Sequence, residues 1–80
     1  MKTAEQRYKD LFYTRTKNNE KEIEYTQKGD VFDFITTYNL EKKTIQHKSI
    51  YKKDGTEKGG VVTYQETLAI QQQIKELGWN

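Results

Sequence analysis

The sequence predicts an α+β domain: a three- or four-stranded antiparallel meander with an N-terminal and a C-terminal helix packed on it. Three observations carry this. The stretch 63–79 has a helix start and a helix stop at matched distance. Residues 22–38 and 43–52 contain apolar and aromatic positions at the two-residue period of strands. The turn signals between them are short, so strands consecutive in the chain are expected to be neighbours in the sheet.

Thr3 and Gln6 have capping-box spacing, and Tyr8, Leu11, Phe12 and Arg15 follow at helical intervals, so a helix is expected over 4–16. Phe12-Tyr13-Thr14 is the contrary signal, because aromatic and β-branched residues favour strands. Lys17-Asn18-Asn19-Glu20 is a polar break. Ile23 and Tyr25 then alternate with Glu22, Glu24 and Thr26, the pattern of a half-buried strand. Gln27-Lys28-Gly29-Asp30 reads as a turn.

Residues 31–38 make the strongest strand. Phe32, Phe34, Thr36 and Tyr38 share one face, the better core candidate; Val31, Asp33, Ile35 and Thr37 share the other. Asn39-Leu40-Glu41-Lys42 is a hairpin loop, and a strand resumes over 43–52 with Ile45, His47, Ser49 and Tyr51 on one face. Ile50 has the opposite parity, which either a bulge or a two-sided strand explains. Asp54-Gly55 is a tight-turn signal that folds 56–62 back as a short, weak fourth strand. Gly59-Gly60 loosens that strand and lets the chain pivot into the last helix.

The last helix opens on a second capping box, Thr63 with Glu66. Gly78 stands where a left-handed C′ residue ends a helix, with Trp79 at C″ and Ile74 at C3 as the contact of a Schellman ending. Ile70, Ile74 and Leu77 form one apolar stripe, expected to seal the aromatic face of the sheet. Gln71-Gln72-Gln73 is expected on uncharged, exposed helix surface. Tyr64 and Leu68 are an i, i+4 pair pointing away from the stripe.

Eighty residues bound the chain to a single domain, 1–80, and a helix stop one residue before the end suggests a complete one. Leu, Ile, Val and Phe total 16, so the aliphatic core is thin, and six Tyr with one Trp must supply much of the buried area. With 14 basic and 12 acidic residues self-repulsion is small. Self-association is a natural way for so small a domain to gain core. The chain has no cysteine, which excludes disulfides, thiolate metal sites and a cysteine nucleophile. The first residues lack the apolar core of a signal peptide and no apolar run reaches membrane-spanning length, so a cytoplasmic location and no membrane partner are expected.

Catalytic signals are weak. His47 and Ser49 stand two apart on one strand, a spacing that rarely gives a hydrogen-bonded pair, so His47 reads as an ordinary half-exposed sheet residue. The carboxylate pairs Glu22/Glu24 and Asp30/Asp33 fit solvated positions. One histidine and Asp30-x-x-Asp33 do not make a zinc or calcium site. Gly55-x-x-x-Gly59-Gly60 lacks the ending of a phosphate loop, although the start of the last helix, near Gly60 and Thr63, has the dipole to attract an anion. No enzyme activity, cofactor, metal or small-molecule substrate is expected.

Two binding readings remain. Ile35, Ile50, Tyr64 and Leu68 occupy faces that one core does not easily serve, which points to a protein partner or a homo-oligomer. The alternative is nucleic-acid binding through the lysine-rich strand 42–53, where Gln46, Lys48 and Lys52 are expected on one strand face, flanked by Lys43 and Lys53. All of these cations are lysine, without the arginine that phosphate recognition favours, and lysine also protects sheet edges.

The closing segment Glu66-Thr67-Leu68-Ala69-Ile70-Gln71-Gln72-Gln73-Ile74-Lys75-Glu76-Leu77-Gly78-Trp79 resembles the C-terminal helix of small uncharacterised proteins of phages and prophages in low-GC Gram-positive bacteria. Those often close on E-L-x-A-I-x-x-Q-x-x-E-L-G-W after a short sheet; Thr67 departs from the pattern. The resemblance spans about the last fifth of the chain. It implies an accessory protein of a mobile element and supplies no functional residues.

Overall fold

The computed structural model describes residues 2–79. The elements run α1 (Ala4–Asp10), β1 (Thr14–Asn18), β2 (Glu22–Lys28), β3 (Phe32–Asn39), β4 (Thr44–Tyr51), β5 (Glu57–Gly59) and α2 (Tyr64–Leu77). The strands form one antiparallel meander in the order β1-β2-β3-β4-β5. The α+β meander with a helix at each end is as expected, with five strands where three or four were anticipated. The added strand is β1, because the first helix stops at Asp10 instead of reaching residue 16. The helix ends on a left-handed Phe12, and of Phe12-Tyr13-Thr14 only Thr14 enters a strand.

Both helices open on complete capping boxes, Thr3 with Gln6 and Thr63 with Glu66. Both also close with the same hydrogen bonds. In α2 the Trp79 N–H donates to the Ile74 carbonyl and Gly78 N–H to Lys75, with Gly78 left-handed at φ 71°. In α1 the Tyr13 N–H donates to the Tyr8 carbonyl and Phe12 N–H to Lys9. These bonds define a Schellman ending in each. In α1, however, the left-handed C′ position, which favours glycine, holds Phe12 at φ 68°.

Register across the sheet sets Ile23, Tyr25 and Gln27 of β2 beside Tyr38, Thr36 and Phe34 of β3, and those beside Ile45, His47 and Ser49 of β4. This is the face the helices cover, so the aromatic face is inward as expected. The β3–β4 register is unbroken from Phe32↔Tyr51 to Asn39↔Thr44. Ile50 is therefore on the outer face of a two-sided strand and there is no bulge. Both Ile35 and Ile50 lie on that outer face, half-buried and diagonal to one another.

The core is built on tyrosine. Tyr8, Tyr13, Tyr25 and Tyr38 are buried with Ala4, Ile23 and Ala69. Tyr8 stacks on Tyr25 at 3.8 Å between ring centres, and Tyr13 meets Tyr8 edge-on at 5.3 Å. Each buried phenol has a partner: Tyr8 with Tyr38, Tyr13 with Glu66, and Tyr25 with Gln73 Oε1 at 2.6 Å. Ile70, Leu77 and Trp79 pack against this cluster. Gln73 corrects the expectation of an exposed glutamine surface: it is 4% exposed, and accepts the Tyr25 hydrogen bond that burial would otherwise leave unmade. Burial is the first cause that pushes the tyrosine hydroxyls above their ordinary pKa.

Candidate functional site

The helices do not cover the inner face completely. Glu66, in the first turn of α2, lies 3.9 Å from His47 at mid-strand, and Trp79 at the far end lies 6.4 Å between ring centres from Tyr38. The helix therefore runs toward the Tyr38 end and leaves Phe34, Phe32 and Tyr51 beyond its start. Between that uncovered end, the α1–β1 turn and the segment leading into α2 lies an open cleft of about 500 Å³. Its apolar walls are Leu11, Phe12, Phe34 and Val61; Gln27, Asp10 and Glu66 are among its polar ones. Phe12 is 85% exposed and Val61 88% exposed, at the mouth. A second cleft, about 310 Å³, follows where Phe32 packs on Tyr51 at 5.3 Å.

The polar groups at the base are engaged with one another. Glu66 Oε1 accepts the Thr63 N–H at 2.8 Å, and Oε2 accepts the Tyr13 hydroxyl. Burial works against the Glu66 charge, but the Tyr13 hydroxyl and the Thr63 contacts outweigh it and hold the carboxyl below its ordinary pKa. The His47 side chain is 6% exposed, not half-exposed, and its Nδ1 shares a 2.7 Å hydrogen bond with Thr36 Oγ1 instead of Ser49. Its Nε2 is buried without a hydrogen-bond partner. Gly60 presses on this ring: a Cβ there would lie 2.5 Å from His47 Cδ2. The glycine is thus needed for close approach, beyond the flexibility read from Gly59-Gly60.

The residues singled out from sequence do not form one surface. Ile35 and Ile50 are on the outer sheet face. Tyr64 is 73% exposed, and with half-buried Leu68 it lies on α2 away from the buried Ala69 and Gln73, on the opposite side of the sheet. The lysines are also dispersed. Gln46 and Lys48 share the outer face of β4, whereas Lys52 and Lys53 follow the strand's end at Tyr51. Lys43 is in the β3–β4 turn with φ 54°. Lys48 pairs with Glu57 at 2.7 Å; Lys52 donates to the Gly29 carbonyl at 2.8 Å and lies 3.8 Å from Asp33. Gln46 and Lys48 thus share a strand face as expected, and Lys52 does not join them, because β4 ends before it.

Phe12 and Val61 were not found from sequence, since a helix through residue 16 hides Phe12 inside a periodic pattern. Among the described residues no group of three or more acidic or histidine side chains is arranged to hold a metal ion, and no helix is long and apolar enough to cross a membrane. Comparison with protein-family models, with curated proteins and with solved structures finds no match.

Proposed function

We propose that this protein is a non-catalytic accessory module that binds a protein partner, or itself, by taking an apolar side chain into the cleft between Phe12 and Val61. The observation that carries this is Phe12: a large apolar side chain, 85% exposed, in a backbone conformation that favours glycine, at the mouth of an apolar cleft. The non-catalytic part rests on the polar base, where both Glu66 oxygens, the Tyr13 hydroxyl and His47 Nδ1 are already committed to internal bonds or contacts. Mobile-element origin enters from the C-terminal wording alone. Ile35, Ile50, Tyr64 and Leu68 are secondary here, because they divide between two sides of the molecule.

The test is an affinity capture from host extract with the wild-type chain, Val61→Asp and Lys53→Glu as parallel baits. A partner held by wild type and Lys53→Glu but lost from Val61→Asp supports the cleft. A partner retained equally by all three refutes it; an empty capture leaves self-association as the only form of the reading, and a chain that also stays monomeric at high concentration refutes that. Nucleic-acid binding by Lys43, Gln46, Lys48, Lys52 and Lys53 is the weaker reading, since Lys48 and Lys52 each lie within ion-pair distance of a carboxylate. Gel retardation at low salt, fading steeply as salt rises, would be its signature.

A further inference from the structure

We infer that the occupant of the cleft is a second copy of this chain, each copy inserting Phe12 beside Val61 and Phe34 of the other about a two-fold axis. The inference rests on the docking reading above and names its partner. A two-fold contact requires a surface complementary to itself. Here the projecting ring and the cavity that can receive a ring are adjacent on one surface: Phe12 is at the cleft mouth, with Leu11, Phe34 and Val61 behind it.

The rim has the same property in charge. Asp10 and Lys2 pair at the surface, and Arg7 lines the same small recess as both. Among the described residues Arg7 has no carboxylate within ion-pair distance, and its Nε is buried without a hydrogen-bond partner. A rim holding Asp10 beside Arg7 can match itself across a two-fold axis, with the Asp10 of each copy adding the Arg7 of the other to the Lys2 it already holds.

The area is small. An aromatic side chain buries about 150–250 Å². Exchange of two Phe12 rings, with Val61 and the cleft walls, therefore brings the contact to roughly 800–1,000 Å² in total, the small end of specific interfaces. That predicts a weak dimer whose population depends on concentration.

Sedimentation equilibrium of the full chain from about 1 to 500 μM, at moderate salt, tests this, with a dissociation constant of roughly tens of micromolar expected for so small a contact. Phe12→Gly, which suits the left-handed backbone, is expected to weaken association at least about tenfold, as is Val61→Asp; Lys53→Glu is expected to leave it unchanged. A wild-type mass that stays monomeric throughout overturns the inference. So does a dimer that both cleft variants leave intact. Monomeric behaviour combined with a Val61-dependent partner in the capture experiment removes the second copy but keeps the cleft; failure of both removes both.

Discussion

Replacing Phe12 with glycine separates what stabilises the fold from what serves a surface. The backbone at Phe12 has φ 68°. A bulky L-residue in that region stores about 1–3 kcal/mol of strain, which glycine releases. Two effects oppose the gain. Glycine loses roughly 0.5–1 kcal/mol more chain entropy on folding. The ring is 85% exposed. With about 200 Å² on an aromatic side chain, the covered remainder is roughly 30 Å², or about 0.7 kcal/mol at 25 cal/mol/Å². The net lies between about −1 and +2 kcal/mol in favour of the variant, so for a domain this small Tm shifts by roughly −5 to +15 °C. The assay is thermal unfolding followed by far-ultraviolet circular dichroism at about 1 μM, below association, so that dimer formation does not contribute to wild-type stability. A fall in Tm of more than about 10 °C would mean that Phe12 is a core residue, since loss of a packed phenylalanine costs about 3–5 kcal/mol, and the reasoning would fail.

Gly60→Ala is expected to destabilise by about 1–3 kcal/mol in urea unfolding, because its methyl would collide with the His47 ring, whereas Gly59→Ala meets nothing within 4 Å and should differ little. The lowered Glu66 pKa means that the unfolded chain takes up this proton more readily than the native one, so stability from Glu66 is present above about pH 4.5 and is lost as pH falls through the lowered native value. Glu66→Gln should therefore flatten the acid limb of a stability–pH curve while lowering stability at neutral pH. Tyr25→Phe leaves the buried Gln73 carbonyl oxygen without its donor and should cost about 1–3 kcal/mol; adding Gln73→Leu should recover part of it, as a chemical-denaturation double-mutant cycle would show.

Much of the architecture was legible because its signals are local. Thr63, Glu66 and Gly78 encode both ends of α2 within a few residues of where they act. The parity of Phe32, Phe34, Thr36 and Tyr38 fixed the inward face, since a strand's period leaves only two choices. The first helix is shorter than its pattern predicts because helical spacing continues through Leu11, Phe12 and Arg15, and nothing in the sequence marks Phe12 as a helix end in the way Gly78 marks one. The cleft was not legible at all. It is made by residues from α1's end, β2, β3 and the segment before α2, brought together only by tertiary packing. The burial of Gln73 is not legible locally for a related reason: its partner, Tyr25, is 48 residues away in sequence.

The phenol-rich interior gives this fold a form of proofreading. Aliphatic side chains tolerate sliding, because one methyl contact replaces another. Here Tyr8 needs Tyr38, Tyr13 needs Glu66 and Tyr25 needs Gln73, and two of those partners are on one face of α2, about two turns apart. Advancing α2 by a single turn would separate two tyrosine hydroxyls from Glu66 and the Gln73 amide at once, each a penalty of about 1–3 kcal/mol. A chain with few aliphatic residues can thus reject wrong packings as firmly as a greasier one, by making every near-miss arrangement chemically incomplete.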